Sequence, residues 1–153
     1  MSIDWTWKQF SELSGVEVYE ILSLRQKVFV VEQQSIYQDA DQFDIQSWHL
    51  LGRNPERQIV GYARICFPGV RYKEPSIGRV LTAPSSRGLG AGREVVRLSI
   101  EKCEQEYPNL GIRIAAQAYL IKFYAGFGFE AIGDPYEEDG IDHVDMVRDS
   151  NAV

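Results

Sequence analysis

Apolar residues along the chain change their period several times, and each change predicts an element. Residues 3–10, "IDWTWKQF", read as an opening strand. Ser14-Gly15-Val16-Glu17 has the capping-box spacing and predicts a helix start. Val18, Ile21, Leu22, Leu24 and Val28 then fall on or near one helical face. β-branched residues crowd together in "VFVVEQQ", where that helix is expected to end. "SIYQDADQFDIQS" follows as a long polar loop, and loops of that length in a compact domain are often functional. "WHLLG" and "QIVGYARIC" predict two strands joined by the turn chemistry of "RNPER". "SIGRVLT" is the next strand, ended by Ala83-Pro84. Val96, Ile100, Cys103 and Tyr107 recur at helical spacing, and Pro108 and Gly111 close that helix. "IRIAAQA" predicts a strand, "YLIKFYAGF" a short helix and "GFEAIG" a strand. A loop "DPYEEDGID" leads to a last strand, "HVDMVR". There is no internal repeat, low-complexity tract or linker, so residues 1–153 read as one α/β domain.

Composition narrows the function classes. Hydrophobic residues make up 44 % of the 153 and charged residues 25 %, which are globular values and exclude disordered or fibrous chains. No run approaches the ~20 apolar residues of a membrane span. "MSIDWTWKQF" lacks the basic start and apolar stretch of a secretory signal. Cys66 and Cys103 lie far apart without a CxxC, which fits two buried, reduced thiols in the cytoplasm. A net charge of −6 argues against nucleic acid, whose binders carry a basic face.

One stretch asks for an explanation. Residues 85–95, "SSRGLGAGREV", set three glycines between a strand and a helix. The first N–H groups of a helix have no partner within it, and the helix dipole adds a partial positive charge there. Glycines let an anion approach those N–H groups without obstruction from Cβ atoms. Arg87 adds a charged, planar donor fork. The stretch therefore reads as a phosphate or pyrophosphate site. Gly92 is followed by Arg93 and Glu94 rather than Lys-Ser/Thr, which excludes a P-loop. The G-x-G-x-G spacing, in mid-chain, does not fit the G-x-G-x-x-G dinucleotide fingerprint.

Arg87-Gly88-Leu89-Gly90-Ala91-Gly92 resembles the R/Q-x-x-G-x-G/A motif of the GCN5-related N-acetyltransferases (GNAT). "IRIAAQAYLIKFYAGFGF" resembles the family's second motif, a strand and short helix ending in "FYxxxGF". "LRQKVFVVEQQSIYQDAD", "IGRV", "AQA" and "YEEDGIDH" extend the similarity to the ElaA-type subgroup over nearly the whole chain. Tyr119 stands where that subgroup usually has histidine, and "DADQFDIQSWH" lacks its usual glycines.

The resemblance implies a single domain with a mixed central sheet, splayed in the middle and flanked by helices. It implies acetyl-CoA as donor substrate and a small amine or peptide as acceptor. Val80, Leu81 and Thr82 would run beside the pantetheine arm, with backbone groups of Val80 and Thr82 on its amides. Arg87, Gly88, Leu89, Gly90, Ala91 and Gly92 would hold the pyrophosphate, and Phe123 and Tyr124 would lie near the thioester. Tyr124 matches the position that serves the leaving thiol; a phenol of pKa ~10 facing a thiol of ~8.5 acts chiefly as a hydrogen-bond donor. Glu32, at the end of the apolar run "VVEQ", is the first candidate base, because burial there would make its carboxylate more basic. His143, beside an acidic loop, is the second. Arg64 reads as the partner of a surface acid. Asp39, Asp41 and Asp44 read as a solvated acidic loop, since the glycine and glutamate of a calcium loop are missing and no metal is expected. A non-catalytic acyl-CoA sensor stays open as the alternative, and so does a homodimer.

Overall fold

The computed structural model describes residues 2–88 and 90–150, so Leu89 of the glycine stretch lies outside the described residues. Strands β1 (Asp4–Gln9), β2 (Ser47–Arg53), β3 (Ile59–Cys66) and β4 (Ser76–Thr82) form one antiparallel sheet in that order. Strands β5 (Ile112–Gln117), β6 (Glu130–Glu138) and β7 (Ile141–Arg148) form a second, ordered β5-β7-β6. Helix α1 (Gly15–Arg25) lies between β1 and β2, α2 (Ala91–Glu106) between β4 and β5, and the short α3 (Ile121–Ala125) between β5 and β6. The expected splay divides the ladders into these two sheets. They meet where β4 and β5 begin: the Arg113 N–H donates to the Pro75 carbonyl at 3.1 Å.

Helices cover both faces of the first sheet. Leu51 and Tyr62 pack with Ile21 and Val28, whereas Leu50 and Ala63, one residue along each strand, pack with Val95 of α2. Alternate strand positions point to opposite faces, so β3 is buried along its whole length. Ser14 caps α1 as its sequence predicts: its Oγ accepts from the Glu17 N–H at 3.1 Å, and Glu17 accepts from the Ser14 N–H at 2.9 Å. Val96, Ile100 and Cys103 of α2 are buried, joined by Val95 and Ser99. Both cysteines are buried and free. No helix of the described residues is long and apolar enough to cross a membrane.

Two segments depart from expectation. The helix does not stop in "VFVVEQQ": residues Gln26–Glu32 continue α1 as a π-helical turn. "DPYEEDGID" is not a loop but a hairpin, whose turn residues Asp139 and Gly140 have φ of 53° and 80°. Two successive positive φ values are those of the tight turn that matches strand twist.

Candidate active site

The space between the diverging sheets is a cavity of about 370 Å³. Ile77, Gly78, Arg79 and Val80 of β4 line one wall and Ile114 to Gln117 of β5 the other. Phe29 and Gln33, with residues of the 35–43 segment, line a third side, and the β6–β7 hairpin adds Glu138, Asp139, Ile141 and His143. The β4 wall is irregular. Tyr62 pairs with Leu81 and Arg64 with Gly78, so Arg79 and Val80 together face Ala63. This bulge puts Arg79 at φ 51°, a left-handed backbone that a non-glycine side chain rarely adopts. It takes the backbone groups of residues 79 and 80 out of the regular ladder.

Tyr124 lines the same cavity and is 8 % exposed. Its ring is clamped edge-on by Phe123 and Phe129, at centroid distances of 5.2 and 5.9 Å. Burial, with a smaller contribution from Tyr119, pushes its pKa up to about 12. Among the described residues its hydroxyl has no hydrogen-bond partner, so the proton is free for a group entering the cavity.

His143 is half-buried in the cavity wall, with its ring stacked on Tyr136 at 6.0 Å. Its Nδ1 lies 2.7 Å from the Ile141 carbonyl oxygen. A carbonyl can only accept, so Nδ1 carries the hydrogen, and the neutral ring keeps its lone pair on Nε2. The other histidine has no such freedom. His49 is 1 % exposed, with Nδ1 2.6 Å from the Tyr62 hydroxyl and Nε2 2.8 Å from the Asp44 carbonyl. Burial pushes its pKa below the usual imidazole value.

Glu32 needs correction. It is exposed and does not line the cavity; its carboxylate pairs with Arg87 at 2.7 Å, both side chains being 41 % exposed. The burial expected from "VVEQ" fails because the π-helical turn carries Glu32 outward, toward the glycine stretch. There Gly88 and Gly90 have φ of 84° and 76°, and Gly90 opens α2 without a side-chain cap. A Cβ on Gly92 would meet nothing within 4 Å, so neither packing nor backbone geometry demands glycine there. The uncapped first turn of α2, the bare Gly92 and the Arg87 fork fit a pyrophosphate. Among the sequence candidates, Val80, Tyr124 and His143 share the cavity, whereas Arg87, Gly88, Gly90, Ala91 and Gly92 lie beyond the end of β4. Phe123 packs on Tyr124, and Leu81 is buried under α1.

The aspartates of the 35–46 segment are not a solvated acidic loop but partners of buried arginines. Asp39 is 3 % exposed and meets Arg25 at 2.8 Å and Arg79 at 2.9 Å. Arg64, 1 % exposed, binds Asp41 through both terminal nitrogens at 2.6 Å and reaches Asp44 at 3.0 Å. Arg25, fully buried, also meets Asp44 at 2.6 Å. Burial would push the Asp41 and Asp44 carboxyls up, but the guanidinium hydrogen bonds and charges outweigh it and hold both below the usual range. This network of three arginines and three aspartates ties the 35–46 segment to α1, β3 and the β4 bulge. Arg64 pairs with acids as its sequence suggests, but from a buried position rather than at the surface, and Arg25 and Arg79 join it. A charged residue on an apolar helix face, Arg25 following Ile21 by four, was the available signal.

Comparison with known proteins agrees with this geometry. Residues 12–150 match the sequence profile of the Acetyltransferase (GNAT) domain. A UPF0039 protein of Synechocystis sp. is 54 % identical over 147 residues, covering 96 % of both chains. Protein ElaA of Escherichia coli is 39 % identical over 150 residues, covering 96 % of this chain and 97 % of its own. The crystal structure of E. coli ElaA superposes with a TM-score of 0.90 at 37 % identity, over 97 % of this chain and 100 % of that one. An acyl-CoA N-acyltransferase from Pseudomonas aeruginosa superposes at 0.89 with 34 % identity, over 95 % and 99 %.

Proposed function

The chain belongs to the GNAT acetyltransferase family, an acyltransferase fold, and on that footing we propose that it moves an acetyl group from acetyl-CoA to a primary amine by direct attack in a ternary complex. The observation that carries this reading is the meeting of Val80, Tyr124 and His143 around one cavity between the splayed sheets. Acetyl-CoA supplies a thioester whose carbonyl carbon the amine nitrogen attacks and whose C–S bond then breaks. Arg87 and the amides at the start of α2 hold the pyrophosphate, and the β4 backbone lies along the pantetheine arm. Holding both substrates in line can supply ~7–11 kcal/mol of barrier lowering. The bulge interrupts the β3–β4 register at Arg79 and Val80, and the Val80 N–H stabilises the carbonyl oxygen as charge gathers there. His143 Nε2 takes a proton from the acceptor's ammonium and so frees the nitrogen lone pair that attacks, because Nδ1–H is already committed to Ile141. Tyr124 donates its unshared hydroxyl proton in a hydrogen bond to the leaving sulfur. Glu32 stays outside this chemistry as the counter-ion of Arg87.

Thermal unfolding with and without acetyl-CoA tests the reading. At a hundredfold excess over Kd, binding adds ~2.7 kcal/mol, a rise of roughly 5–10 °C for a domain of this size. No rise at millimolar ligand refutes it. A rise without thiol release from any amine leaves the acyl-CoA sensor in its place.

A further inference from the structure

The cavity contains charges that the catalytic reading does not use. Arg79 is neutralised by Asp39 and Asp41, and Asp41 is shared with Arg64. Arg71, in the connection between β3 and β4, is different. It lines the cavity and is half-buried, with its guanidinium carbon 5.6 Å from the Phe43 ring centroid and 5.3 Å from that of Tyr72. Among the described residues it has no carboxylate within ion-pair distance. Two aromatic rings lie beside its guanidinium, but they cannot satisfy its five N–H donors. Glu138 and Asp139, exposed at the hairpin end of the same cavity, likewise have no ion-pair partner among the described residues. Arg71 is not a second hand on the pyrophosphate. It precedes β4 and Arg87 follows it, and the seven residues Ser76–Thr82 between them span about 20 Å.

The geometry points to an acceptor amine that also carries a carboxylate, with Arg71 as the group that binds the carboxylate. A guanidinium beside two rings and without a carboxylate partner presents its fork to a planar carboxylate and gains two charge-assisted hydrogen bonds. Glu138 and Asp139 offer the opposite sign to the acceptor's ammonium before His143 removes its proton. One uncompensated cation and two uncompensated anions thus match a zwitterionic acceptor better than a simple alkylamine or a polyamine. This inference rests on the acetyltransferase reading.

The test uses a panel of free amino acids and dipeptides, each against its own C-terminal carboxamide, with thiol release followed in the full-length protein. Expected is a kcat/KM about tenfold to a hundredfold higher for the carboxylate member, expressed mainly in KM. Arg71→Gln should bring the two members of each pair level, and Arg71→Lys should restore part of the difference. The acetyl-CoA-dependent rise in Tm shows that each variant is folded. Equal use of both members, a preference that survives Arg71→Gln, or turnover of no carboxylate-bearing amine while acetyl-CoA still raises Tm would each overturn the assignment of Arg71 alone. Absence of that rise in the unaltered protein would remove the acetyltransferase reading beneath it.

Discussion

Replacing Tyr124 by phenylalanine deletes a single oxygen from the cavity wall. The ring keeps its edge-on contacts with Phe123 and Phe129, and the lost hydroxyl has no partner among the described residues. Stability should therefore hardly change, with Tm within about 2 °C of the parent. Turnover should change substantially. A hydrogen bond to a sulfur that is acquiring negative charge is worth ~1.5–3 kcal/mol, so kcat should fall roughly 10- to 150-fold. KM for acetyl-CoA should stay near its starting value, because the interaction grows only as the C–S bond breaks. The pH profile gives a second constraint. With its pKa pushed up to about 12, Tyr124 stays protonated throughout the working range and contributes no basic limb. Thiol release at saturating acceptor, measured from about pH 6 to about pH 10 in both proteins, should give profiles of the same shape at different heights. A phenylalanine variant within twofold of the parent, or a basic limb present in the parent and missing in the variant, would refute the role.

Other groups carry their own expectations. His143→Gln should lose most of kcat while acetyl-CoA still raises Tm; a folded variant with kcat within twofold of the parent would show that another base is at work. Glu32→Gln removes a negative charge from beside Arg87, so acetyl-CoA should bind up to about fivefold more tightly in a titration at low salt, with turnover retained. A large loss of kcat there would return Glu32 to the chemistry. His49 has a lowered pKa in the folded state, so below the unfolded value of ~6.5 the unfolded chain binds the extra proton. Stability should therefore fall as pH drops from ~6.5 toward the folded pKa, by at most about 1.4 kcal/mol per pH unit. Thermal melts should show a shallower slope over that window in His49→Gln, and an unchanged slope would exclude His49 as its source.

Where an element depends on residues within one turn, the sequence was readable. Ser14 and Glu17 cap one another within a single turn, and Val96, Ile100 and Cys103 repeat at the period of the helix they form. Gly88 and Gly90 likewise answer to local geometry, since each holds a positive φ that favours glycine. "GFEAIG" runs into β6 and "HVDMVR" falls in β7, but nothing local extends β6 to the Asp139-Gly140 turn: from Gly133 to Glu138 it is exposed, so no alternation of apolar residues marks it.

The tertiary structure alone decided how charge is distributed. Asp39, Asp41 and Asp44 look like solvent-facing acids because the arginines that neutralise them stand on α1, β3 and β4, up to 40 positions away in the chain. Glu32 looks buried from its apolar neighbours, yet a π-helical turn rotates it out to Arg87. The bulge that frees the backbone at Val80 comes from the register of β4 against β3, which neither strand encodes by itself. Backbone period and capping depend on residues within a turn of one another, so the chain declares them directly. Ion pairing, burial and strand register depend on which distant segments the closing core brings into contact, and these decide which side chains face the cavity.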